Sequence, residues 1–182
     1  MTTNISNYKS VTDVFIIFFA ILTVDVFVLF LVRYFPDFFG KSLNKWYDDF
    51  QLNAVLSDVL IILVGFLVAR YVYTIWLNPI YGWNPLLFIG LVIAIQAIHD
   101  ILFYLFVIRP LPVGHNSIID LFKKYSEGGF KIVLGDGLLM LMSALVAFYY
   151  KSLNLETTVS INVLVLYALP YILNTRAQWI KN

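Results

Sequence analysis

Cysteine is absent from this chain of 182 residues, and histidine occurs twice. The first absence removes disulfides, thiol nucleophiles and cysteine-ligated zinc in one step. The second leaves a catalytic zinc short of donors, since such sites usually take three protein ligands rich in His or Cys. His99 lies in an apolar run and His115 in a polar loop, so the two do not read as one site. Charge is scarce as well: 13% of residues are Asp, Glu, Lys or Arg, against about 25% in an average soluble domain. The net charge of +1 gives no basic surplus that would call for nucleic acid. There is no G-x-S-x-G elbow, no P-loop, no dinucleotide fingerprint and no TVGYG-like filter. Gly135-Asp136-Gly137 is too short to cradle a phosphate and reads as the opening of a helix. These absences argue against an enzyme, a bound cofactor, a metal centre and a potassium channel.

What is present is apolar. The chain is 61% hydrophobic and 18% aromatic, more than a soluble domain of this size can hide. The bilayer is the natural solvent, and the fold class follows: an all-α bundle of transmembrane helices forming a single domain. A span needs about 20 mostly apolar residues. Five stretches qualify, roughly 12–35, 53–77, 85–108, 132–150 and 158–176. The fifth carries Asn162 and Pro170 and is the weakest. The first is too long for a signal-peptide core and lacks a small-x-small cleavage pattern, so it reads as a retained anchor.

Lys and Arg set the expected orientation. With five spans, nine of the twelve basic residues fall on one side: Arg33, Lys41, Lys45, Arg109, Lys123, Lys124, Lys131, Arg176 and Lys181. Lys9 and Lys151 fall on the other, and Arg70 lies within the second span. The expected N-terminus is outside or lumenal and the C-terminus cytoplasmic.

Two loops on the basic side are patterned. In KSLNKWYDDF, Leu43, Trp46, Tyr47 and Phe50 fall at one helical face. In SIIDLFKKYSEGG, Ile118, Leu121, Phe122 and Tyr125 repeat the spacing, with Ser117 and Asp120 as a capping box and Gly128-Gly129 as the stop. Both read as short helices in the membrane interface with the apolar face toward lipid. Together with Lys45, Lys123 and Lys124 these faces are the expected contacts for partner proteins.

The halves resemble each other. Asp25, Arg33 and Pro36 are matched by Asp100, Arg109 and Pro112, and Ser57-Asp58 by Gly135-Asp136. The runs DVLIILVGFLVARYVY and DGLLMLMSALVAFYYK align without gaps, and Gly65 and Ala69 match Ser143 and Ala147 as small-xxx-small pairs. The expected plan is span, interfacial helix, span, used twice (about 11–77 and 85–150), with an extra span at about 158–176 and a pseudo-two-fold along the membrane normal. Helical rise then puts Asp25, Asp58, Asp100 and Asp136 in the basic-side half, roughly 5–15 Å below the surface. Gln96 and His99 sit near the same level.

Ionisable residues inside a span point to function by default. Crowded carboxyls would share protons or bind a cation, and His99 would titrate near neutrality. A structural reading stands beside this. Asp58 and Asp136 would cap helix starts. Asp25 and Asp100 would pair with Arg33, Arg109 or Lys131, and Asp13 with Arg70. His99-Asp100 would join helices inside the bundle.

IQAIHDILFYLF, GHNSIIDLFKKYSEGG and LGDGLLMLMSALVAFYY resemble an uncharacterised type of polytopic membrane protein from large double-stranded DNA viruses of algae and protists. The resemblance covers 95–150 and implies a virion protein of the membrane beneath an icosahedral capsid, touching capsid proteins through its loops. It assigns no functional residues. On this basis the expected role is structural, with the bilayer, capsid or other membrane proteins, and a second copy of the chain as partners. The alternative is a small proton- or cation-coupled transporter or channel built on the intramembrane carboxyls.

Overall fold

Local chemistry starts three of the apolar helices. The side chain of Ser10 accepts from the backbone of Asp13 to open α1 (Val11–Tyr34). Asn84 caps α4 (Pro85–Ile108) through the amides of Leu86 and Leu87, with Pro85 in the first turn. Asn154 does the same for α7 (Leu155–Leu173) through Thr157. The computed structural model of the chain describes residues 3–36, 41–126 and 130–176, leaving out the side chains of 41–42, 125–126 and 130–132. Between the capped helices lie α2 (Lys41–Phe50), α3 (Leu52–Tyr81), α5 (Ser117–Ser126) and α6 (Phe130–Ser152).

Two helices widen near their C-terminal ends. α3 makes a π turn at Tyr73–Leu77 and α4 another at Tyr104–Ile108. Each ends two residues before a proline, Pro79 and Pro110. A proline ring brings no N–H and crowds the carbonyl four residues back. A widened turn moves that carbonyl aside and lets the apolar run continue.

Five helices are long and apolar enough to cross a membrane: α1, α3, α4, α6 and α7. The fold is that of an all-α, integral multipass membrane protein. α1, α3, α4 and α6 form a ring in which α1 and α4 sit on one diagonal and each packs on both α3 and α6. α7 packs on the outside of α1, so α1 is the most enclosed helix, with Ile17, Ala20, Ile21, Leu29 and Val32 fully buried. Large apolar side chains such as Leu86, Phe106 and Tyr167 point outward, as a hydrocarbon solvent allows. The order span, amphipathic helix, span occurs twice before α7.

Gly65 marks a close approach of three ring helices. A Cβ there would stand 2.9 Å from Met140 Cε on α6 and 3.5 Å from Gln96 Oε1 on α4. At the end away from α2 and α5, the chain before α1 folds over Arg70. Its guanidinium donates to the carbonyls of Ile5 (2.9 Å), Ser10 (2.8 Å) and Asn7, and Thr74 donates to Ser6.

The amphipathic helices form where the spacing predicts, but their apolar faces meet protein rather than lipid. Trp46 and Tyr47 are buried, and Leu43 and Phe50 pack on the core. In α5, Leu121 is buried and Ile118 and Phe122 pack on the core, joined by buried Ile119, which the periodicity left out. Trp46 and Phe122 meet at 5.1 Å between ring centroids, which links the two short helices over one end of the ring. The α5 cap also differs from the expected box. Asn116 accepts from Ile118 and Ile119, while Asp120 reaches back to the amide of Gly114. Tyr125 lies in α5 with its side chain outside the description, and Gly128 and Gly129 fall outside the described residues.

Candidate functional site

The four intramembrane aspartates come from four different ring helices, and two of them, Asp25 and Asp58, lie beneath α2. Asp25 projects from α1 and is almost wholly buried. Asp58 stands in the second turn of α3, too far in to cap that helix's free amides, whose field fades within the first turn. It accepts instead from Trp46 Nε1 at 2.9 Å. The hydroxyl of Tyr47 lies 3.5 Å from Asp25 Oδ1 and within hydrogen-bonding reach of Asp58 as well. Two neighbouring aromatics of α2 therefore present their polar tips to the acids of α1 and α3, while their rings seal the end of the bundle.

The other two acids are neighbours. Asp136, in the second turn of α6, lies near enough to Asp100 on α4 and to Asp58 for their charges to act on it, and Asp58 acts likewise on Asp25. Asp100 Oδ1 also accepts from Gln96 Nε2 at 2.7 Å and lies 3.1 Å from His99 Nδ1. Asp25 Oδ2 and Asp100 Oδ2 are buried without a partner among the described residues.

A carboxylate only accepts hydrogen bonds; a carboxylic acid can also donate. Asp100 and Asp136 can share a hydrogen bond only while one of the pair carries a proton. The donors around the cluster are an indole, a phenol, an amide and an imidazole. Among the described residues, Asp25, Asp58, Asp100 and Asp136 make no ion pair with Lys or Arg, and no three acidic or histidine side chains are placed to hold a metal ion.

The expected ion pairs form differently. Arg33 points away from Asp25: Nη1 reaches Asp48 at 2.7 Å and Asn44 at 3.2 Å, and Nη2 reaches the Leu173 carbonyl at 3.0 Å. It ties α1 to α2 and to the end of α7. Arg109 lies past the π turn of α4, exposed and without a partner among the described residues. The Lys131 side chain falls outside the described residues. Asp13 pairs with Lys151 at 2.6 Å rather than with Arg70, whose guanidinium is taken up by backbone carbonyls. His99 does not join helices. Its ring stacks on Phe103 of the same helix (5.6 Å) and faces an open apolar groove lined by Ile95, Ile98, Leu102, Phe106 and Val107.

The side chains expected to meet partners are largely used inside. Trp46 and Tyr47 are site residues, and Lys123 donates to the Leu111 carbonyl. Lys45 is exposed and paired with Asp49, and Lys124 is exposed. The periodicity marks 46 and 47 as one face; that the face turns inward is signalled only by the polar tips of its two aromatics. Asn44 and Asp48, one turn apart, and Lys151 were not legible as partners of any particular charge. A second polar cluster, also missed, joins α1, α6 and α7: Thr23 bonds Tyr150 at 2.9 Å and Asn162 at 3.3 Å. No family model matches the chain, and neither a curated protein nor a solved structure matches it.

Proposed function

We propose that this chain is a small proton-coupled membrane transport protein whose proton site is the cluster of Asp25, Asp58, Asp100 and Asp136. The observation that carries the reading is the gathering of four intramembrane carboxyls from four helices, Asp100 beside Asp136 among them, without a described lysine or arginine to neutralise them. Unpaired carboxylates are expensive in a bilayer, and such groups mark proton relays. A proton shared among neighbouring carboxyls relieves that cost, and exchange of such a proton is the chemistry proposed for the site. A bound metal cation fits the geometry less well, since no three of these side chains converge on one point. In the proposed orientation the basic end, with α2 and α5, faces the cytoplasm.

Tyr47 and Trp46 hold Asp58 and Asp25 by donating to them. Gln96 fixes the Asp100 carboxyl by donating to Oδ1, and Oδ2 is left without a donor among the described residues. His99 touches the same oxygen from the outer side of α4. The groups are ordered Asp25, Tyr47, Asp58, Asp136, Asp100, His99.

The test is proton flux in liposomes. The purified full chain is reconstituted around a trapped pH-sensitive dye and a pH gradient is imposed, with potassium and valinomycin clamping the potential. Flux above that of protein-free vesicles, lost in Asp100→Asn and in Asp136→Asn, is the expected result. Flux equal to empty vesicles, or unchanged in both variants, overturns the reading.

A further inference from the structure

We infer that α2 is a lid over the carboxyl site, hinged at Gln51 and latched by Arg33. The inference rests on the proton-site reading for its purpose, while the lid itself stands on separate geometry. α2 lies outside the spans, yet it supplies Trp46 to Asp58 and Tyr47 to Asp25. With α2 in place both acids are roofed by buried aromatics. With α2 lifted they lose those donors and meet water.

The hinge is a single residue. Gln51 stands between the last residue of α2 and the first of α3, at φ 47° and ψ −122°. Among the described residues it alone has a positive φ without being glycine, a conformation that an L side chain resists. Its amide donates to Tyr47 and its carbonyl accepts from Ala54, so the bend is bonded on both sides and confined to one position. Strain stored at a one-residue junction belongs to a joint that the surrounding contacts hold shut.

Those contacts come from α1. Arg33 is buried and fixed by the Leu173 carbonyl, and it grips Asn44 and Asp48, one turn apart on an edge of α2. Asn44 in turn donates to the Val32 carbonyl at 3.1 Å. The two ends of the latch differ: the Arg33 side chain is 2% exposed and that of Asp48 59%. The post is buried and the catch faces solvent, so the catch can let go without unfolding the post.

Because the chain has no cysteine, Ala54→Cys introduces a single thiol. Ala54 is fully buried in the first turn of α3, beside the hinge. The rate of labelling by a water-soluble maleimide, in the reconstituted full chain, reads lid opening. Asp48→Asn is expected to speed labelling roughly three- to tenfold, as loss of a half-exposed charged hydrogen bond allows. Asp48→Glu restores the slow rate. Lys45→Ala, on the outer face of α2, leaves it unchanged. Equal rates in the parent and Asp48→Asn, or equal acceleration by Lys45→Ala, overturn the lid. Hydrogen exchange of residues 43–50 in the chain without the added thiol gives a second reading. There Asp48→Asn must speed exchange in α2 and leave α1 unchanged, and no difference in α2 also overturns the lid. The two proposals fail separately. Absent flux with intact labelling differences removes the proton reading and leaves the lid, whereas flux with flat labelling removes the lid alone.

Discussion

The two halves of the ring follow one plan and hold their acids in opposite ways. In the first, Asp25 and Asp58 are kept apart and fed by donors from α2. In the second, α5 supplies no donor to the acids among the described residues, and Asp100 takes its donors from Gln96 and His99 of its own helix, with Asp136 nearby. The basic residues diverge with them. Arg33 is buried in a network that pins α2, while Arg109, at the matching position, is exposed. A shared spacing of Asp, Arg and Pro therefore fixes where charges stand along the membrane normal and leaves open what they touch. Under the proposed proton-coupled role, the first half would be the gated side of the site and the second its exchanging pair.

The sharpest way to break this division is to neutralise one acid at a time. Asp100→Asn keeps a hydrogen-bond donor toward Asp136 but removes the mobile proton, and flux is expected to fall about a hundredfold or more, within the range of a lost proton-transfer group. Asp25→Asn, which still accepts from Tyr47, is expected to lower flux less than about tenfold. Equal losses would erase the distinction between the halves. The next largest contrast is in stability. Arg33→Ala leaves Asn44, Asp48 and a helix-end carbonyl without their donor and is expected to cost about 2–4 kcal/mol. Arg109→Ala should stay within about 0.5 kcal/mol. Thermal unfolding in detergent separates the two, and similar losses would mean that Arg109 has a partner of its own. A smaller effect belongs to Trp46→Phe, which keeps the ring and removes the donor to Asp58. It should cost about 1–2 kcal/mol, with Asp58→Asn partly masking it in a double-mutant cycle.

These contrasts also show what the chain makes legible. Five spans were readable because a membrane helix needs only length and apolar composition, and neither depends on neighbours. Helical rise converts sequence position to height, so the sequence also predicts that the four acids stand near one level. Azimuth was not. Whether Arg33 turns to Asp25 or to Asp48, and whether Asp13 takes Arg70 or Lys151, depends on the rotation of helices whose apolar residues run all round them and mark no inner face. The same gap hid the site role of Trp46 and Tyr47. An amphipathic helix at a bundle end has the same period whether lipid or protein covers its apolar side. The polar tips were the one clue, because two buried donors side by side need acceptors.

The last contrast is the smallest and has opposite signs in the two halves. Gly65 and Ser143 hold matching positions in the aligned runs, on the diagonal helices α3 and α6. At Gly65 a methyl group would stand 2.9 Å from Met140 Cε, the far end of a flexible side chain, and 3.5 Å from Gln96 Oε1. Gly65→Ala gains helix propensity of about 1 kcal/mol but must displace a fully buried methionine in a close-packed ring, which costs about 1–3 kcal/mol. The net expectation is a loss of about 1 kcal/mol. At Ser143 the balance reverses. Its hydroxyl is buried and has no hydrogen-bond partner among the described residues. Ser143→Ala deletes an unsatisfied group while leaving the packing almost unchanged, so stability should hold or rise by up to about 1 kcal/mol. Thermal unfolding of both variants under one condition measures the pair. A clear loss in Ser143→Ala would mean that the hydroxyl has a partner in the membrane, water included, and that the second half holds a polar contact in mid-span that the first half lacks.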